Sequence, residues 1–203
     1  MAAVAIARRL PSVQVTRLDT RDGGDPLEDL LGAARPSIRA FHHVLGIDEA
    51  ELVARTQAAY RLGTSIRGWS DADYFRGHGA YGDPLGGVPF HQLWLRARMA
   101  GSIAPYDTFA AAAVLASRAR FALPSSNPAS PFAALDYGLQ LHLPAYRQAL
   151  RALGRAAGVE EAVGRIETAE RSAAGSSITT LRLDDGRRLT ADLFVDASGR
   201  AAI

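Results

Sequence analysis

The chain has no cysteine. Disulfides and thiolate metal sites are therefore excluded, which fits a cytoplasmic protein. It also has no lysine: every basic side chain, 23 in all, is an arginine. Chemistry that needs a lysine amine is absent with it, because a guanidinium stays protonated and is a poor nucleophile. No apolar run approaches the roughly 18 residues of a membrane span, so no membrane role is expected. Neither charge sign dominates, with a net charge of +2. The arginines are scattered rather than striped, so no nucleic-acid partner is expected. His42 and His43 are adjacent and would point to different sides of a helix, while His91 and His142 stand alone. That leaves no metal constellation. The opening ten residues place their apolar run before Arg8 and Arg9, the wrong order for a signal peptide.

What is present is a globular composition. At 203 residues and 48% hydrophobic, the chain suits one domain of ordinary size, or most of one. Ala2 to Leu10 reads as a small-residue helix ended by Pro11, and Val13 to Leu18 as a strand stopping at Asp19. Helix, strand, then acid is the second half of a dinucleotide-binding βαβ unit, in which the acid holds a ribose. The strand and glycine turn that open such a unit do not stand before this helix, so the chain is expected to begin inside it. Asp19 is thus a ribose-contact candidate; the alternative is an ordinary surface-turn acid.

Residues 21–34 read as loop, and Pro36 to Leu45 as a helix stopped by Gly46. Asp48 and Glu51 form a capping box for a helix to about Gln57. Ala58 to Ile66 reads as a strand, and Gly68 to Val88 as a long loop rich in glycine, tyrosine and histidine. Phe90 to Met99 and Tyr106 to Phe121 are helical by pattern, and Leu123 to Pro131 is a linker. After an extended piece at Leu139 to His142, Pro144 starts a helix with Tyr146, Leu150, Leu153 and Ala157 on one face and Gly158 as its cap. Glu161 to Arg171 reads as a strand. A hairpin follows, turning at Asp184 to Arg187. Leu193 to Val195 reads as a short buried strand that stops on Asp196 and opens into a small-residue turn. There Ser198 and Gly199 would let the backbone approach a phosphate or ribose. The alternative is a tight turn with no ligand. Trp69, Trp94 and Tyr146 are read as core.

Taken together, these pieces resemble the flavin-dependent tryptophan halogenase family. The carrying residues are Arg35-Pro-Ser-Ile-Arg-Ala-Phe41, Leu45-Gly-Ile-Asp-Glu-Ala-Glu-Leu52, Thr56-Gln-Ala-Ala-Tyr-Arg-Leu-Gly63, Trp69, Tyr146 through Gly158-Val159, and Asp192-Leu-Phe-Val-Asp-Ala-Ser-Gly199. The resemblance implies an α/β fold: an incomplete Rossmann-like FAD-binding domain with a helical substrate-side insertion and a C-terminal β-hairpin and strand. Residues 1–34 would be the remnant of the βαβ unit. Residues 35–143 would form the insertion, and 144–203 a helix plus a β-meander returning to the FAD site.

The resemblance also implies chemistry. Reduced FAD, supplied by a separate flavin reductase, reacts with oxygen. An oxidised halide then travels to an aromatic substrate such as tryptophan or an indole. A family lysine in a Thr-Phe-Lys-Leu-Gly-like segment holds or relays that oxidant. Here the segment is Ala59 to Gly63, so Arg61 occupies the lysine's place. An arginine can hydrogen-bond an oxidant or an anion but does not readily form a chloramine. Its other reading is a salt-bridged arginine on a strand. The family's Gly-Glu-Ala-Thr-Ile-Pro loop is replaced by Leu31 to Pro36, without the glutamate. The family's Trp-x-Trp-x-Ile-Pro signature and C-terminal half do not stand in these residues. His78 lies where the family places substrate-contacting residues; its other reading is a solvated loop histidine. Asp19, Asp196, Ser198 and Gly199 are the implied FAD contacts. Three alternatives stay open: a flavin monooxygenase without halide chemistry, an inactive truncated fragment, and a non-enzymatic scaffold that does not bind FAD.

Overall fold

The computed structural model describes residues 1–20, 30–69, 71–101, 104–172, 175 and 177–197. The chain divides into two compact units, residues 1–30 with 147–203, and residues 31–146. In chain order the elements are α1 (Ala2–Arg9), β1 (Thr16–Asp19), β2 (Leu31–Ala34), α2 (Ser37–Val44), α3 (Glu49–Thr56), β3 (Ala59–Arg61), β4 (Gly63–Ile66) and β5 (Tyr74–Gly77). Then come α4 (Phe90–Met99), a 3-10 turn (Tyr106–Phe109), α5 (Ala111–Ser117), β6 (Gly138–His142), α6 (Leu143–Ala156), β7 (Glu160–Val163), β8 (Ile166–Arg171), β9 (Ile178–Leu183) and β10 (Arg188–Thr190). The architecture is a mixed α/β fold with parallel pairing, a partial Rossmann-like domain.

In the first unit β1 and β7 pair in parallel, Thr16 opposite Glu160 and Asp19 opposite Val163. Both strands therefore end at the same edge. Gly154 of α6 leaves room for Val4 of α1, whose Cγ2 lies 3.6 Å from where a Cβ at residue 154 would stand. Val4, Leu150, Val159, Ala162 and Leu183 are buried here. β8, β9 and β10 form an antiparallel meander with Arg188 opposite Arg182. Its turn is made as the Asp-Asp-Gly sequence requires: Gly186 takes a φ of +83°, and Arg187 N donates to Asp185 Oδ1 at 3.0 Å.

In the second unit β6 is the middle strand of the antiparallel order β2-β6-β3. Its sequence Gly-Leu-Gln-Leu-His alternates, so the buried Leu139 and Leu141 share one face while Gln140 and His142 on the other are half-buried. α2 packs on β6 and on α3, and α5 packs on β4 and β5. The expected cap is present: Glu51 N donates to Asp48 Oδ1 at 2.8 Å, and Gln57 ends α3 in the left-handed region.

Several local readings change. The strand expected over Glu161 to Arg171 is two strands, β7 paired with β1 and β8 paired with β9. The strand expected over Ala58 to Ile66 is two strands, β3 and β4, which break at Leu62 and join different sheets. The loop expected over Gly68 to Val88 contains β5, paired with β4. The helix expected over Tyr106 to Phe121 is a 3-10 turn followed by a short α5. Leu31 to Ala34, read as loop, is an edge strand, so the stretch to residue 143 alternates helix and strand rather than being simply helical. Leu193 to Val195 is not a buried strand: Leu193 is 75% exposed and Val195 56%. Among the described residues no strand pairs with it, and a strand without a ladder partner has unmet backbone groups. Trp69 is not core either, at 82% exposure, nor is Trp94, which is half-buried on α4, a helix without a buried residue.

Candidate functional site

Arg61 and His78 are 17 residues apart in sequence, yet backbone register brings them together. β3 ends on Arg61, the chain passes through Leu62, and β4 begins at Gly63. β5 runs back antiparallel with Gly77 opposite Gly63, so the next residue, His78, faces Leu62. Its N–H donates to Leu62 O at 2.7 Å. Arg61 Nη1 then lies 3.3 Å from His78 Nε2, and Arg61 Nη2 donates to Thr64 Oγ1. A guanidinium has no acceptor, so in this contact Nη1–H donates and His78 Nε2 accepts. Burial holds the His78 pKa below its ordinary value; Arg61 adds to this, as do Arg76 and Arg35, while Asp136 opposes it. The imidazole is thus neutral at neutral pH. Thr64 and Asp136 were not singled out from the sequence; only the strand register places them here.

Beside this cluster is a second network. Asp136 Oδ1 accepts from Arg39 Nη1 at 3.1 Å, and Arg39 Nε sits 3.6 Å from Glu49 Oε2. The Arg39 guanidinium also lies 3.9 Å over the Tyr137 ring. Tyr137 donates its hydroxyl to Glu49 Oε1 at 2.5 Å, and burial with that carboxylate pushes its pKa up to about 12. Asp136 thus shares Arg39 with Glu49. No carboxylate pairs with Arg61, Arg35 or Arg76 among the described residues. The charged groups acting on His78 are three arginines, Arg61, Arg76 and Arg35, against one carboxylate, Asp136.

Deeper in the same unit, His42 Nε2 lies 2.8 Å from the Tyr146 hydroxyl, both residues being buried. His42 Nδ1 is buried and has no partner among the described residues. Burial lowers the His42 pKa, with Glu49 opposing, and raises that of Tyr146 to about 12. A histidine depressed in this way binds fewer protons folded than unfolded below its ordinary 6.5. Stability should therefore be complete above about pH 6.5 and fall as acid passes through the depressed pKa. A urea titration repeated from about pH 7.5 to pH 5 checks this, and Tyr146→Phe, which strands Nε2 as well, should cost about 1–3 kcal/mol at the upper pH. A midpoint that does not move with pH would contradict a neutral buried His42.

The flavin implied by the resemblance is tested in the first unit. Asp19 ends β1 at the carboxyl edge of the parallel pair, the edge at which nucleotides bind in open α/β sheets. Arg151 Nη2 reaches its Oδ2 at 2.5 Å and Arg17 Nη1 reaches the same oxygen at 3.8 Å. Oδ1 accepts no hydrogen bond among the described residues. One carboxylate oxygen is held while the other can accept from a sugar hydroxyl, which fits a ribose. Asp196 is exposed, and Ser198 and Gly199 lie outside the described residues. Among the described residues no group of His, Asp and Glu is arranged to hold a metal ion. No helix among them is long and apolar enough to cross a membrane.

Comparison with known proteins follows the same lines. No curated protein matches the chain. BrvH, a flavin-dependent halogenase from Brevundimonas sp. BAL3, superposes with a TM-score of 0.85 at 32% identity, covering 97% of this chain and 39% of its own. A flavin-dependent halogenase from Xanthomonas campestris superposes with a TM-score of 0.85 at 30% identity, covering 98% and 39%. A tryptophan 6-halogenase from Streptomyces toxytricini, at 19% identity and a TM-score of 0.80, shares the fold over 96% of this chain and 40% of its own. The chain thus spans about two fifths of the length of these proteins. The family model for tryptophan halogenase matches residues 1–203 without a gap at either end, and on that match and those identities the chain belongs to the tryptophan halogenase family.

Proposed function

We propose that this chain carries the flavin-contacting and oxidant-handling parts of an enzyme that halogenates an aromatic substrate such as tryptophan or an indole. Residues 1–34 and 144–203 are its flavin side, and residues 35–143 its substrate side; the division of the chain into two compact units supports that split. Asp19, Asp196, Ser198 and Gly199 contact FAD, which arrives reduced from a separate flavin reductase. When bound, reduced FAD supplies the activation of oxygen. Arg61 holds the oxidised halide by hydrogen bonds, where the family's lysine could also bond to it covalently. His78 stands beside it on the substrate side.

The observation that carries the flavin part is the position of Asp19, an acceptor at the carboxyl edge of a parallel strand pair. The observation that carries the oxidant part is a half-buried guanidinium in the lysine's place with no carboxylate partner among the described residues. A flavin titration of the purified chain, followed by flavin absorbance and fluorescence with free FAD as control, tests the first. Saturable, stoichiometric binding is expected, weakened about tenfold by Asp19→Ala, the loss of one hydrogen bond to a charged acceptor. A folded chain that leaves FAD free would overturn the proposal for this polypeptide and favour the scaffold or inactive-fragment reading.

A further inference from the structure

Arg61 has five N–H donors. One goes to His78 Nε2 and one to Thr64 Oγ1, and the other three meet no acceptor among the described residues. A guanidinium on a flexible stem loses its aim unless its plane is fixed. Two acceptors on different terminal nitrogens fix it, because the fork is rigid and planar. Thr64 belongs to the same short segment as Arg61, whereas His78 comes from the far end of the hairpin. His78 is itself held, by its backbone N–H on Leu62 O at 2.7 Å.

We infer that His78 is a positioning residue for Arg61: as the neutral imidazole with its proton on Nδ1, it accepts from Nη1 and fixes the guanidinium plane, so that its remaining donors are held ready to bind a small anion. This rests on the proposed role of Arg61 and changes that of His78 from touching substrate to acting through the arginine. The arrangement requires neutrality at His78. An imidazolium there would have no lone pair for Nη1–H, and it would add a cation to Arg61, Arg76 and Arg35 against Asp136, which Arg39 already engages. Acid should therefore release the guanidinium.

The test uses the full 203-residue chain labelled with nitrogen-15. Ring spectra at neutral pH should show His78 protonated on Nδ1 and bare on Nε2. The terminal nitrogens of Arg61 should give separate, slowly rotating signals. His78→Phe removes the acceptor, so those signals should merge, and bromide, the probe anion, should bind about tenfold more weakly because charge-assisted hydrogen bonds lose their geometry. His78→Gln, whose amide oxygen can accept, should restore both. A proton on Nε2, or Arg61 signals unchanged in His78→Phe, would overturn the inference. Should His78→Phe not fold, the tautomer in the unsubstituted chain and the glutamine variant decide. The two readings fail separately: if bromide does not bind although ring and guanidinium signals behave as expected, positioning stands and the oxidant-holding role of Arg61 falls.

Discussion

Leu139→Ala is expected to lower the free energy of unfolding by about 2–5 kcal/mol, the range for removing a fully buried leucine. Leu139 is 0% exposed and sits in β6, between β2 and β3. It faces Ala34 on one strand and Tyr60 on the other. Neither neighbour can move to fill the space without breaking its own ladder, so the cavity should stay open and the loss should approach the upper end. Overpacking is no remedy on this strand. A Cβ at the preceding Gly138 would fall against the backbone carbonyl of Ala34. Urea unfolding gives the measurement, with Leu123→Ala as comparator. Leu123 is 62% exposed, and its loss should stay within about 0.5 kcal/mol. Equal losses at the two positions would show that β6 is not the centre of the second unit.

Gly63→Ala should act on stability and on the site together. The backbone at Gly63 is not left-handed; space is the constraint. An added Cβ would meet the carbonyl of Arg76, stand 2.6 Å from Phe75 Cε1 and 2.8 Å from Gly77 Cα. Two of these three are backbone of the paired strand, so relief requires β4 and β5 to separate. The cost should reach or exceed the about 1–3 kcal/mol usual for overpacking. The separation would also pull His78 from Leu62 and so from Arg61. Amide hydrogen exchange resolves the two effects: the His78 N–H should be protected in the parent chain and exchange rapidly in Gly63→Ala. Gly86→Ala makes a control, since a Cβ there meets nothing within 4 Å, though its φ of +56° adds some strain of its own. Retained protection at His78 would refute the link between ladder and site.

Much of the helical framework was legible in the residues. Asp48 and Glu51 announce α3, Pro144 and Gly158 bracket α6, and the Asp-Asp-Gly turn sets the β9–β10 hairpin, because each is a local rule satisfied within a few residues. Two of the short strands, β2 and β5, were not legible. β2 is Leu-Gly-Ala-Ala, a sequence with no strand propensity, and it exists because β6 offers it a ladder. β5 hides in a glycine-rich stretch for the same reason. Leu193 to Val195 failed in the opposite sense: its apolar pattern suits a strand, but pattern alone supplies no partner. At the site, the sequence pointed to Arg61 and to His78 separately. Their meeting depends on the one-residue gap at Leu62 and on the register of Gly63 with Gly77, and neither has a sequence signature.

That gap at Leu62 also ties two sheets together. Arg61 is carried by the β2-β6-β3 sheet and His78 by the β4-β5 hairpin, so their hydrogen bond is also a clasp across the seam between two sheets. A lysine at position 61 would bring a single point charge that cannot serve an imidazole and a threonine with a planar fork. An arginine there is useful only with an acceptor opposite. Positions 61 and 78 are therefore coupled through the fold: removing either the fork or the acceptor opens the clasp.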